Sequence, residues 1–106
     1  MPDTENWTAA CDVDELWEGD MIGVRVEDTP ILLVKVDGEI RAYRNRCPHQ
    51  EWPLDQGDLD GDVLTCSAHL WQFEVRTGRG LNPSDCALAA FPVRVEEGKA
   101  WVCLPG

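Results

Sequence analysis

Two short Cys/His pairs constrain the fold of this chain more than any other feature of its sequence. Cys47 and His49 form a Cys-x-His pair, and Cys66 and His69 form a Cys-x-x-His pair after sixteen intervening residues. Two thiols and two imidazoles are enough to hold one four-coordinate zinc ion or one two-iron cluster. Either centre requires two loops to converge, so we expect the fold to bring the two pairs together.

The remainder of the sequence is typical of β-structure. Turn residues separate seven short runs that alternate or are mostly apolar, and these runs predict strands at residues 21–27, 31–36, 39–45, 62–66, 70–75, 91–96 and 100–104. Asp37-Gly38 and Glu97-Gly98 favour tight hairpin turns between such runs. A short helix is predicted only at residues 12–17, with Asp12 at its N-cap. The sequence therefore predicts an all-β, antiparallel fold in a single domain of residues 1–106.

The arrangement of the ligands separates the two kinds of metal centre. Structural zinc sites usually place like ligands close together, as in Cys-x2-4-Cys and His-x3-5-His pairs. Both pairs in this chain are mixed. In a Rieske [2Fe–2S] centre, two cysteines bind one iron and two histidines bind the other, so a mixed pair on each loop fits it better. A structural zinc-binding module remains the alternative.

The residues around both pairs carry a family resemblance. CPHQEWPL and CSAHLWQF resemble the two cluster-binding loops of Rieske ferredoxins, and the similarity covers nearly the whole chain. The resemblance implies the Rieske fold, an antiparallel β-sandwich with a small cluster-binding subdomain of two loops at about residues 46–83. It also implies that Cys47 and Cys66 bind the inner iron, and that His49 and His69 bind the outer iron of one [2Fe–2S] cluster.

The same resemblance implies an electron carrier and no catalytic residues, since a fully ligated cluster leaves no position for a substrate. CPHQE, AHLW and GxNPxDC resemble the ferredoxin component of toluene 4-monooxygenase systems. In such a system a flavoprotein NADH reductase supplies electrons, and the diiron hydroxylase of an aromatic-hydrocarbon monooxygenase accepts them. Trp52, Val75-Arg76 and FPVRVE instead resemble the ferredoxins of aromatic-ring-hydroxylating dioxygenases, which are the alternative partners. A redox-sensing iron–sulfur protein is a further alternative, although no DNA-binding surface or effector domain accompanies the pairs.

Partner docking is expected around the outer histidines. The residues that neighbour the ligands, or that match the family's covering proline loop, are Gln50, Glu51, Trp52, Leu70, Trp71 and Pro83. For Trp71 a place in the core is the stronger expectation, because large aromatic side chains are usually buried. Pro83 has the alternative role of a simple turn residue.

The charge of the chain limits its partners. A formal net charge of -11 disfavours nucleic acid and anionic membranes. It favours a partner with a basic face, with a solvated surface that only keeps the protein soluble as the equal alternative. Acidic residues between the ligand pairs either steer such a partner or merely solvate a loop; these are Glu51, Asp55, Asp58, Asp60 and Asp62. No stretch suits a membrane span or a signal peptide, so the expected location is cytoplasmic.

Three cysteines and three tryptophans are assigned no chemistry. Cys11, Cys86 and Cys103 are expected to act as small buried hydrophobic residues. The aromatic residues that are expected to fill the core are Trp7, Trp17 and Trp101.

Overall fold

A computed structural model describes residues 6–46, 53–66, 71–82 and 87–104. The strands are β1 (Asn6–Asp12), β2 (Asp20–Val26), β3 (Thr29–Val36), β4 (Glu39–Arg44), β5 (Asp58–Asp60), β6 (Val63–Thr65), β7 (Gln72–Glu74), β8 (Arg79–Asn82), β9 (Ala90–Phe91), β10 (Val93–Glu96) and β11 (Lys99–Leu104). Two 3₁₀ helices lie at Val13–Glu15 and Leu54–Gln56. Within these ranges no helix is long and apolar enough to cross a membrane.

The strands form three antiparallel sheets. An outer sheet has the order β1-β11-β10, a central sheet has the order β2-β3-β4-β9, and a motif sheet has the order β5-β6-β7-β8. The motif sheet contains β6, which leads directly into the second Cys/His pair. The prediction of an all-β antiparallel fold is therefore confirmed.

Strand β3 separates two hydrophobic cores. Leu32 and Val34 belong to the core shared with the motif sheet, whereas Ile31 and Leu33 belong to the core shared with the outer sheet. Successive side chains on a strand point to opposite faces, so both faces of β3 are covered. This double burial explains the uninterrupted apolar run ILLV at residues 31–34, all of which are fully buried.

Among the described two-residue turns between neighbouring strands, three have positive φ at both central residues. Asp37-Gly38 connects β3 to β4 with φ angles of 58° and 76°, and Glu97-Gly98 connects β10 to β11 with φ angles of 55° and 75°. Both turns were predicted, and positive φ at both central residues matches the twist of a hairpin. Glu27-Asp28 forms a third such turn, with φ angles of 48° and 73°, that the sequence pattern did not predict.

The structure corrects several element predictions. The predicted helix at residues 12–17 is only a single 3₁₀ turn at Val13–Glu15, in which the Glu15 carboxylate accepts a hydrogen bond from the Asp12 N–H. The predicted strand at residues 91–96 is two strands in different sheets, because it breaks at Pro92. Strands β1, β5 and β8 were not predicted.

The three tryptophans expected in the core lie elsewhere. Trp17 is 73% exposed, just before β2. Trp7 and Trp101 are half-buried and belong to neither core. The Arg94 guanidinium lies 4.6 Å from the centre of the Trp7 ring, in a cation–π contact. The expectation that these aromatic side chains fill the core was therefore wrong.

Candidate functional site

Cys66 lies at the carboxyl end of β6, fully buried in the core that the central sheet shares with the motif sheet. Its backbone N–H donates a hydrogen bond to the carbonyl oxygen of Trp71, with a distance of 2.7 Å. This hydrogen bond joins the two residues that border residues 67–70. Cys66, a predicted ligand, is therefore held to the residue that follows this segment.

The ligand segments and the proline segment all adjoin the same end of the motif sheet. Asp58 pairs with Thr65, Thr65 with Gln72, and Gln72 with Asn82, so these four residues form a row across the sheet. The chain continues from this row into residues 67–70 and into residues 83–86. It arrives at the row through the second 3₁₀ helix, which follows residues 47–52. The convergence of the two Cys/His pairs stays a prediction, because Cys47, His49 and His69 lie outside the described residues.

A close backbone contact holds the chain that follows the first ligand pair against the chain that precedes the second. Gly57 follows the second 3₁₀ helix, and a Cβ atom at this position would overlap the carbonyl oxygen of Thr65, the residue before Cys66. Only glycine fits this approach without displacing β6. Sequence analysis did not identify Gly57, because its φ of -85° is ordinary and the constraint comes from a distant part of the chain.

Most of the predicted site residues lie outside the described part of the chain. These are Cys47, His49 and His69 among the ligands, and Gln50, Glu51, Trp52, Leu70 and Pro83 among the docking residues. Among the described residues, no three ligating side chains come together. The set of four ligands therefore stays a prediction. The position of Cys66 and the contacts between the described residues that border the ligand segments support it.

Trp71 is the one predicted docking residue that the structure describes. Its side chain is half-buried and packs against the same core cluster that contains Cys66. Its carbonyl oxygen accepts the hydrogen bond from Cys66 that closes the second loop. These contacts favour the core role for Trp71, although the residue as a whole stays partly exposed.

The acidic residues near the site differ in their surroundings. Asp58 and Asp60 are exposed on β5. Asp62 forms an ion pair with Arg76, with 3.4 Å between Oδ2 and Nε, and Arg76 also pairs with Asp37 in the β3–β4 turn. Asp62 therefore helps to join the motif sheet to the central sheet, and the exposed Asp58 and Asp60 are the better candidates for steering a basic partner.

The thiols of Cys11 and Cys103 are partly buried, as small hydrophobic residues are. Burial raises the pKa of the Cys11 thiol, and the nearby carboxylates of Glu15 and Asp12 raise it further. Because the thiolate is the form that binds metal, a raised pKa disfavours a ligand role for Cys11. The role expected for Cys86 lies outside the described residues.

The donor chemistry fits a Rieske centre. The sequence supplies two cysteines and two histidines, which is the donor set that such a cluster requires. A thiolate in an apolar core is costly unless a cation neutralises it, and Cys66 is fully buried among apolar side chains. Iron bound to Cys66 would provide that charge compensation.

Comparisons with known proteins agree with this chemistry. A family model described as the Rieske [2Fe-2S] domain matches residues 6–92. The ferredoxin component of the alkene monooxygenase system of Xanthobacter autotrophicus is 43% identical over 101 residues, which cover 94% of this chain and 83% of that protein. The biphenyl dioxygenase ferredoxin subunit of a Pseudomonas species is 41% identical over 92 residues, covering 85% of this chain and 84% of the relative.

Solved structures with the same architecture include other ferredoxins. A ferredoxin of Sphingomonas yanoikuyae matches with a TM-score of 0.85 at 27% identity, covering 94% of this chain and 100% of that chain. A chain in the complex of reduced oxygenase and oxidized ferredoxin in carbazole 1,9a-dioxygenase matches with a TM-score of 0.82 at 32% identity, covering 92% of each chain. The protein described here therefore belongs to the Rieske [2Fe-2S] domain family.

Proposed function

We propose that this protein is the ferredoxin component of a multicomponent oxygenase system and carries single electrons to the oxygenase. One observation carries the proposal: a chain that matches the Rieske domain contains two mixed Cys/His motifs. Described residues that flank these motifs lie together at one end of the motif sheet. Relatives with 37–43% sequence identity support it, because they are named as ferredoxin components or subunits of oxygenase systems.

The proposed ligands are Cys47 and Cys66 for one iron and His49 and His69 for the other. A bound [2Fe–2S] cluster would accept and release one electron at a time. The protein's own residues would hold it in place: Cys66 lies in the core, and its backbone hydrogen bond to Trp71 fixes the ends of the second loop. No residue is proposed to act on a substrate, since the four side chains complete the ligation.

The proposed electron acceptor is the diiron hydroxylase of a hydrocarbon monooxygenase. The 43% identity to an alkene monooxygenase ferredoxin supports this choice. The resemblance in CPHQE and AHLW extends it to an aromatic hydrocarbon as the substrate. A second candidate is an aromatic-ring dioxygenase, which the 41% identity to a biphenyl dioxygenase ferredoxin favours.

The proposed electron donor is a flavoprotein reductase that oxidises NADH. The docking surface proposed for both partners consists of Gln50, Glu51, Trp52, Leu70, Trp71 and Pro83. Residues 1–106 are proposed to form one domain, with a cluster-binding part at about residues 46–83.

Reconstitution tests this role and separates the two candidates. The purified protein, chemically reduced, is mixed under anaerobic conditions with an oxidised diiron hydroxylase or with an oxidised ring dioxygenase. Visible absorbance then follows reoxidation of the carrier. Fast one-electron reoxidation by the diiron hydroxylase is the expected result, and preference for the dioxygenase would select the second candidate. Failure of both oxygenases to reoxidise a cluster-loaded protein would contradict the carrier role.

A further inference from the structure

Asn45 is a buried polar residue directly before the first Cys/His pair. It is 9% exposed, and among the described residues it is the only polar or charged one that is buried. It precedes Cys47 by two positions. Burying an amide costs free energy unless its oxygen and nitrogen are hydrogen-bonded, so the contacts of this side chain indicate its purpose.

The Asn45 amide joins the two ends of the first ligand segment. Its Oδ1 accepts hydrogen bonds from the backbone N–H of Leu54 at 2.8 Å and of Asp55 at 3.0 Å. Its Nδ2 donates to the Asp55 carboxylate at 2.9 Å. We call these three bonds the Asn45 clasp. They connect the chain just before residues 47–52 to the chain just after them.

The Asn45 clasp is itself held against the central sheet. The backbone N–H of Asn45 donates to the carbonyl oxygen of Pro30 in β3, at 3.0 Å. A Cβ atom at Gly23 in β2 would lie 2.5 Å from Asp55 Oδ2 and 2.8 Å from Asn45 Nδ2, so the clasp packs directly on the β2 backbone. The ends of the first segment therefore have little freedom to move apart.

The clasp also connects to the second ligand segment. Leu54 is fully buried in the same core cluster as Cys66. Three residues after Leu54, Gly57 contacts the carbonyl oxygen of Thr65, the neighbour of Cys66 in the chain. A continuous set of contacts thus runs from Asn45 to the residue beside a proposed ligand.

We propose that Asn45 is a positioning residue for the cluster, which sets the place of the Cys47 and His49 segment relative to Cys66. The proposal rests on the ligand assignment given above. The competing explanation is that Asn45 only stabilises the fold, as any satisfied buried amide does. The two explanations differ in what happens to the cluster when the amide is removed.

The test compares cluster retention with thermal stability in the full-length protein. Asn45→Ala removes the clasp. Tyr43→Phe is the matched control, because it removes a buried hydrogen bond two residues earlier in the chain, between the Tyr43 hydroxyl and the Val75 carbonyl oxygen at 2.6 Å. Each variant is assayed for the rate of cluster loss to an iron chelator, for the EPR spectrum after dithionite reduction, and for the melting temperature.

Removal of residues that orient metal ligands typically weakens metal binding about 10- to 100-fold. We therefore expect Asn45→Ala to lose the cluster about 10- to 100-fold faster than the wild type, with shifted EPR g values. Tyr43→Phe is expected to lower the melting temperature without changing the chelation rate or the EPR spectrum. The double variant Asn45→Asp with Asp55→Asn keeps the oxygen acceptor and reverses the side-chain bond, so it should restore retention.

Two results would overturn the proposal. One is that Asn45→Ala loses the cluster at the wild-type rate and gives the wild-type EPR spectrum. The other is that Asn45→Ala and Tyr43→Phe lose the cluster at the same rate when their melting temperatures fall equally. If Asn45→Ala does not fold, Asp55→Ala is used instead, because it removes only one of the three bonds. This variant should lose the cluster faster than the wild type, by a smaller factor than expected for Asn45→Ala. A wild-type rate of cluster loss in Asp55→Ala would count against the proposal. A wild-type protein without a Rieske EPR signal would instead refute the ligand assignment, before any variant is compared.

Discussion

At the scale of single residues, Cys66 and Trp17 differ in how far the sequence determines their roles. The ligand role proposed for Cys66 stays a prediction that rests on local chemistry, because a thiol and an imidazole at fixed spacing limit the centres that they can bind. Trp17 was predicted to be buried from its hydrophobicity, yet it is 73% exposed. Burial depends on which face of the fold a short connection presents, and hydrophobicity alone does not contain that information.

Replacing Cys66 by serine tests the ligand assignment at its best-described position. The substitution is nearly isosteric, so the core should remain packed while the iron ligand is lost. We expect iron and sulfide per chain to fall about tenfold or more, because even indirect ligand partners are worth 10- to 100-fold in metal binding. Cys103→Ser, at a partly buried cysteine, is the control and should keep the full cluster content. Equal cluster loading of both variants would remove Cys66 from the ligand set.

At the scale of elements, length alone does not decide which strands could be predicted, since the seven-residue β1 was missed and the three-residue β6 and β7 were predicted. β3 appears in the sequence as an apolar run because most of its residues are buried, and β4 is recognisable because Ile40, Ala42 and Tyr43 contact a core. β5 and β8 are only three and four residues long, and they exist because they pair with β6 and β7. The break at Pro92 was missed for the same reason: the chain changes sheets there, and pairing partners are not visible in local periodicity.

The contact between Gly57 and β6 predicts a large effect from a small substitution. In Gly57→Ala the new methyl group would overlap the Thr65 carbonyl oxygen, so either the second 3₁₀ helix or β6 must shift. Gly61→Ala, in the β5–β6 turn, is the control, because a Cβ there meets nothing within 4 Å and only its φ of 64° is unfavourable. We expect Gly57→Ala to lower both the melting temperature and the cluster content more than Gly61→Ala does. The reverse order would contradict the described packing.

The β3–β4 hairpin predicts a specific pH dependence. Hydrogen bonds from the backbone N–H groups of Gly38 and Asp37 hold the pKa of the Glu18 carboxyl below its ordinary value of 4.5. A lowered folded-state pKa means that this stabilisation is complete above pH 4.5 and is lost as the pH falls through the folded-state pKa.

Thermal melting between neutral pH and about pH 3 tests this dependence, because this range covers the titration of an ordinary glutamate carboxyl. We expect Glu18→Gln to lower the melting temperature at neutral pH and to flatten its decrease toward acid. Glu97→Gln, in the exposed β10–β11 turn, is the control and should keep the wild-type acid profile. Parallel profiles for Glu18→Gln and the wild type would contradict the proposed stabilisation of the hairpin turn.

At the scale of the whole molecule, three sheets enclose two cores, and the candidate site lies at one end of the motif sheet. The chain also has a formal net charge of -11. Twenty acidic residues against nine basic ones repel acidic partners at long range and attract basic ones. Such a surface suits a carrier that must meet and leave its partners rapidly.

Ionic strength should therefore control the rate of electron transfer to a basic acceptor. The Debye length falls from about 30 Å at 0.01 M salt to about 3 Å at 1 M salt, which removes long-range attraction. We expect the second-order rate of oxidation by a small basic haem protein to fall at least about tenfold over this range. Oxidation by a neutral small-molecule acceptor is the control and should change little. Equal salt dependence of both reactions would exclude electrostatic steering.

The most direct test of the central claim is EPR spectroscopy of the anaerobically purified protein, as isolated and after dithionite reduction, with iron, sulfide and zinc assayed on the same sample. The account predicts two irons and two sulfides per chain and a rhombic Rieske-type signal that appears only on reduction. A colourless, EPR-silent protein with one zinc ion per chain would contradict it, because the two Cys/His pairs would then form a structural metal site and the chain could not carry electrons.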